Sequence, residues 1–172
     1  MNTETALPEN QTKAKQPQSE MTDISSMLLP VEGRTLLLPG VVVAEIVTFV
    51  TPEPDDSEDV PAWFLGHIYW RNQRVPLAAF ETLSGGGVPF ISSHCRIAIL
   101  NNTGMSHQLN FFAILLQGTP KLLRLTPEEL FVNNEKISEE GEKLHVTIGG
   151  EEAVIPDVEF IERAIVNYLQ LS

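Results

Sequence analysis

The chain has a single cysteine, Cys95, so no disulfide can form within it and no cysteine pair is available to grip zinc. For a chain without disulfides the cytoplasm is the simplest compartment. Cys95 stands just ahead of the apolar run 97–100, which predicts a buried, inert thiol. Basic residues are scarce: 11 Lys and Arg face 23 Asp and Glu, giving a formal net charge of −12. Neutralising phosphates needs clustered Lys and Arg, so this balance excludes a nucleic-acid role and argues against docking on anionic lipid. No apolar run reaches the length of a membrane span, which excludes membrane insertion. The first residues also lack the basic region and apolar core of an export signal.

Catalytic patterns are missing too. His67, His94, His107 and His145 are scattered, with no two at the spacing of a zinc site. His94 and Cys95 are neighbours, but adjacent residues on a strand point to opposite faces and cannot form a dyad there. There is no Gly-x-Ser-x-Gly elbow. The run Ser84-Gly85-Gly86-Gly87 lacks both the lysine and the following helix of a phosphate loop. Carboxylates are plentiful but stand in no acid/base arrangement. The expectation is no catalytic residue, no metal, no cofactor and no enzyme.

The stretch 60–83, VPAWFLGHIYWRNQRVPLAAFETL, organises the rest. Its aromatic and β-branched residues are strand formers, and Arg71-Asn72-Gln73-Arg74 interrupts them with a polar tetrad. Asn72 tolerates positive φ. A hairpin of strands 66–70 and 74–78 follows, with the tetrad at its tip. Gly66 inside a strand marks a bulge or a close backbone approach, and Pro76 places its strand at a sheet edge or a bulge. The result is a surface ribbon carrying two guanidiniums. It is suited to gripping another protein, or it is simply a solvated hairpin.

Residues 1–24 are polar with almost no large apolar side chains, and the composition predicts a disordered tail; Met21 offers an internal start. Structure begins near Ser25. Strands are expected at 27–31, 35–38 and 41–50, with Glu45 facing solvent by default, or paired if it is buried. The loop 51–59 holds five acids and two prolines, repels itself, and lacks the glycine and spacing of a calcium loop. Residues 79–83 suit one helical turn. Further strands are expected at 96–100, 109–116, 121–125, 144–148 and 153–155, the last two joined by Gly149-Gly150. Thr126, Pro127 and Glu129 form a capping box for a short helix. Asp157 caps a terminal helix whose apolar face holds Val158, Ile161, Ile165 and Tyr168. About ten short strands, with a glycine-rich break near 84–87, mean a mainly β chain in two strand clusters.

Over roughly 25–170 the chain resembles the CheW-like family of chemotaxis coupling proteins. The resemblance rests on Val43-Ala44-Glu45-Ile46, on Pro61-Ala62-Trp63-Phe64-Leu65-Gly66, on the spacing from Gly66 through Arg71 to Pro76, and on the Ile155-Pro156-Asp157 step into the last helix. Its diverged form is most similar to the accessory CheW-like proteins of type IV pilus chemosensory systems. Where the family has Asn-Leu-Arg-Gly at the tip, this chain has Tyr69-Trp70-Arg71-Asn72, and its loop 51–59 is longer and more acidic. The resemblance implies two small five-stranded SH3-like β-barrels over 25–172 with a C-terminal helix. It implies a cytoplasmic, non-enzymatic adaptor, recruited to receptor arrays in chemotaxis or twitching motility. Such an adaptor bridges chemoreceptor cytoplasmic tips and a CheA-like histidine kinase. Val43, Glu45, Gly66 and Arg71 match family positions linked to those contacts. Arg71 would hold a partner carboxylate through two points, and Gly66 would admit the partner's backbone. A stand-alone barrel binding a small molecule or peptide remains the alternative.

Overall fold

Among the described residues eleven strands form two antiparallel-rich sheets, in each of which the two edge strands are consecutive in sequence. The structure, a computed structural model, describes residues 23–171. Most of the tail expected over 1–24 lies outside the described residues. The first sheet has the order β8-β1-β2-β11-β10-β9. Its strands are β1 (Ile24–Val31), β2 (Arg34–Pro39), β8 (Lys121–Leu125), β9 (Leu130–Val132), β10 (Glu142–Ile148) and β11 (Glu151–Pro156). The edge strands β8 and β9 are joined by the 3-10 turn Pro127–Glu129, which carries the expected capping box. The second sheet has the order β3-β6-β7-β5-β4. It comprises β3 (Val43–Thr48), β4 (Phe64–Trp70), β5 (Gln73–Ala78), β6 (Arg96–Asn101) and β7 (Phe111–Leu116). Its edges β3 and β4 are joined by the acidic loop.

The mainly β fold in two lobes with a terminal helix agrees with the sequence reading. One lobe has the five strands expected; the other has six, the additional one being the three-residue β9. β1 starts at Ile24, in register with Leu125. The expected strand 41–50 opens instead as a 3-10 turn, Gly40–Val42, because Pro39-Gly40 breaks the extended run before β3. The strand expected from 109 starts at Phe111.

Several strands are apolar on both faces, and the packing explains why. In β6, Ile97 and Ile99 line the interior of the second lobe, while Ala98 and Leu100 point into a core shared between the lobes. In β2, Leu37 faces the interior of the first lobe, and Leu36 and Leu38 join the shared core. α2 (Val158–Leu169) closes that core with Ile161 and Ile165, and Asp157 accepts from the Phe160 amide at its N-cap. A strand covered on both sides loses the alternation that marks a half-exposed one.

Of the two places expected for Pro76, a sheet edge or a bulge, the edge is not what is found, while the β4 bulge before Gly66 lies one residue from the Pro76 pair. β5 lies inside the sheet, between β7 and β4. It is tolerated because the parallel ladder to β7 starts only at Leu77, and because its partner His67 directs its own amide and carbonyl outward to Glu53.

Candidate functional site

The β4–β5 hairpin turns through two residues rather than four: Trp70 pairs with Gln73, leaving Arg71 and Asn72 at the tip. Both have positive φ, 48° and 61°, the geometry of a tight hairpin turn whose twist matches its strands. Asn adopts this readily; Arg does so at some strain. The turn lifts Arg71 into solvent, with its side chain 68% exposed.

Two β-bulges set what surrounds the tip. In β3, Val43 pairs with Leu100 and Glu45 with Ile99, so Ala44 is the additional residue. Leu100 belongs to the shared core and Ile99 to the interior of the second lobe. The bulge therefore turns Val43 toward the shared core, where it packs half-buried, and Glu45 toward the mouth of the second lobe. There Glu45 meets the hairpin. Its Oε2 accepts from Trp70 Nε1 at 3.0 Å and from Arg71 Nη2 at 2.8 Å. The guanidinium carbon sits 4.6 Å from the centroid of the Trp70 ring, a cation–π contact. Trp70 is itself anchored, edge-on to Phe111 at 4.9 Å, with the ring buried in the lobe interior. Because β3 and β4 are opposite edges of the sheet, this trio also ties the two edges together.

The solvated face expected for Glu45 is thus a half-exposed ion pair. The carboxylate that Arg71 holds is the chain's own, and the contact is through one nitrogen rather than two. Trp70 was recognisable in the sequence only as a strand former. The readable signal was an indole N–H directly beside the tip arginine, but its acceptor comes from 25 residues earlier and depends on the bulge.

The second bulge, at Leu65, lies between Phe64 and Gly66. Gly66 has φ 114°, and a β-carbon there would collide with the Glu53 carbonyl oxygen. The backbone brought close by Gly66 is therefore the acidic loop of its own chain. Glu53 bridges to His67 through two amide–carbonyl bonds of 2.7 and 2.8 Å, covering the outer edge of β4. In that loop Asp55 accepts from the amide and hydroxyl of Ser57, bonds that hold its carboxyl below the usual range. His67 is buried beneath the loop; burial, then the charge of Arg74, pushes its imidazole down, favouring the neutral form. Of the four residues named from the sequence, Glu45 and Arg71 come together. Val43 faces the shared core and Gly66 lies under Glu53.

A separate cleft of about 590 Å³ lies between the β1–β2 turn and the segment before β10. Its charged groups already have partners within the chain. Arg34 pairs with Glu139 and Glu142, His145 with Glu142, and Lys136 with Glu152. Among the described residues no group of three or more His, Cys, Asp or Glu could hold a metal ion, and no helix is long and apolar enough to cross a membrane.

The family model of the CheW-like domain matches residues 25–164. The chain belongs to the CheW-like family. A search of the curated proteins finds no match. Among solved structures, this CheW-like chain is similar to the scaffolding protein TtCheW from Thermoanaerobacter tengcongensis. The TM-score is 0.67 at 13% identity, covering 86% of this chain and 93% of that one. At that identity the likeness speaks for the CheW-like fold alone.

Proposed function

We propose that this CheW-like protein is a non-enzymatic signalling adaptor that couples the cytoplasmic tip of a chemoreceptor to a CheA-like histidine kinase. The pathway is chemotaxis or type IV pilus twitching motility, and the protein works in the cytoplasm at receptor arrays. The observation that carries the reading is the Glu45–Trp70–Arg71 rim. It places an exposed guanidinium on a rigid two-residue turn, at the mouth of a filled lobe, fixed before any partner arrives. Preorganised polar groups on a rigid scaffold lose little freedom on binding, which suits a docking surface. Glu45 and Arg71 are the contact residues of this reading. Val43 and Gly66 contribute by shaping the shared core and the β4 edge behind them. The alternative of a small-molecule- or peptide-binding barrel draws less support, since each charged group lining the 590 Å³ cleft already has a partner within the chain.

The test is a bridging assay with purified components. A receptor cytoplasmic fragment and the regulatory domain of a CheA-like kinase are mixed with and without this chain and resolved by size exclusion. The adaptor reading expects a three-component peak that needs the chain. Equal association without it contradicts the reading.

A further inference from the structure

The hydrogen bonds at the rim are unevenly distributed. Both donors, Trp70 Nε1 and Arg71 Nη2, converge on Oε2 of Glu45, and among the described residues nothing donates to Oε1. One hydrogen of Nη2 is thereby engaged; among the described residues the other guanidinium N–H groups have no hydrogen-bond acceptor, on a side chain 68% exposed. The rim thus offers a free acceptor beside free donors, with a net charge of zero across the pair. A partner carboxylate at Arg71 would sit beside the Glu45 carboxylate and be repelled by it, on a molecule whose formal charge is already −12. A carboxamide has the matching pattern: its oxygen accepts from the guanidinium and its NH₂ donates to Oε1.

We propose that this rim is a subsite for a side-chain carboxamide, Asn or Gln, of the docking partner, with Trp70 as its positioning residue. The inference rests on the adaptor reading and adds what the partner presents there. Trp70 fixes both halves of the subsite. Its N–H holds Glu45 and its ring face carries Arg71, while Phe111 holds the ring edge-on. Without the indole N–H, Glu45 and Arg71 keep their charges but lose their shared orientation.

Isothermal titration of a receptor cytoplasmic fragment into the full chain tests this with four proteins: wild type, Trp70→Phe, Glu45→Gln and Arg71→Glu. The inference expects Trp70→Phe to weaken binding about tenfold, as for loss of a charge-assisted hydrogen bond. Glu45→Gln should weaken it severalfold. In the Trp70→Phe protein the Arg71 side-chain N–H resonance should collapse to its solvent-exchanged position, with backbone amide shifts elsewhere unmoved, which a merely structural role would not give. Tighter binding by Glu45→Gln overturns the carboxamide, because it marks relief of repulsion against a partner carboxylate. An unmoved Arg71 resonance in Trp70→Phe overturns the positioning role. Binding unaffected by Arg71→Glu, or no binding by the wild type, overturns the adaptor reading and this inference with it. Loss with Arg71→Glu but tightening with Glu45→Gln leaves the adaptor reading standing alone.

Discussion

Glu81 lies buried in α1 (Phe80–Leu83), and neither carboxylate oxygen has a hydrogen-bond partner. Burial pushes its carboxyl up, and the neighbouring Glu32 charge adds to the shift. A carboxyl whose folded pKa is raised leaves stability intact in acid. It subtracts stability as pH climbs above the unfolded value of about 4.3, and the loss is complete above the raised value. Replacing it with an apolar side chain of similar length removes the unpartnered oxygens. Glu81→Met should therefore stabilise the protein by about 1–3 kcal/mol at neutral pH, and by less in acid. Urea denaturation at two pH values checks this; equal stability of the two proteins at neutral pH contradicts it. Glu142 behaves oppositely. Burial opposes its ionisation, but the Glu139 amide and the Arg34 guanidinium outweigh burial and hold its carboxyl low. Its contribution is present above the unfolded value and disappears as pH falls through the depressed one.

Among the elements, α2 does more than close the core. Glu162 is fully buried on it and accepts from the amides of Thr103 and Met105, at 2.6 and 3.3 Å, so the helix holds the β6–β7 loop. Glu162→Ala leaves those amides without that acceptor and should cost about 2–3 kcal/mol. Amide exchange in the 102–110 loop should rise more than in β3, and uniform loss of protection across both would contradict the tether. Most elements were legible in the sequence because their signals are local. The Thr126 capping box, the Gly149-Gly150 turn, the Asp157 cap and the apolar face of α2 each need only a few adjacent residues. What was not legible depends on residues distant in sequence. The bulges at Ala44 and Leu65 exist only in register with β6 and β5, and they decide that Glu45 reaches the mouth while Val43 does not. Similarly, Pro76 left an edge open beside a bulge because its sequence does not show that the β7 ladder begins one residue later.

At the scale of the whole molecule, the two lobes are not independent bodies. The shared core draws Leu29, Leu36 and Leu38 from one sheet, Leu100, Phe112 and Ile114 from the other, and Ile161 and Ile165 from α2. Neither lobe can expose its half without losing the cover of a strand apolar on both faces. Thermal unfolding should therefore be one calorimetric transition with equal van't Hoff and calorimetric enthalpies; two separated transitions would contradict a common core. The shared core gives the hairpin tip a fixed place from which to dock, and Arg71 stands at that tip. The most direct test titrates a receptor cytoplasmic fragment into wild type and Arg71→Glu, with thermal melting of both. Binding by the variant should be at least tenfold weaker, from lost donors and reversed charge, while its Tm falls only slightly, as for loss of one exposed ion pair. Wild-type affinity in the Arg71→Glu protein would contradict docking through Arg71.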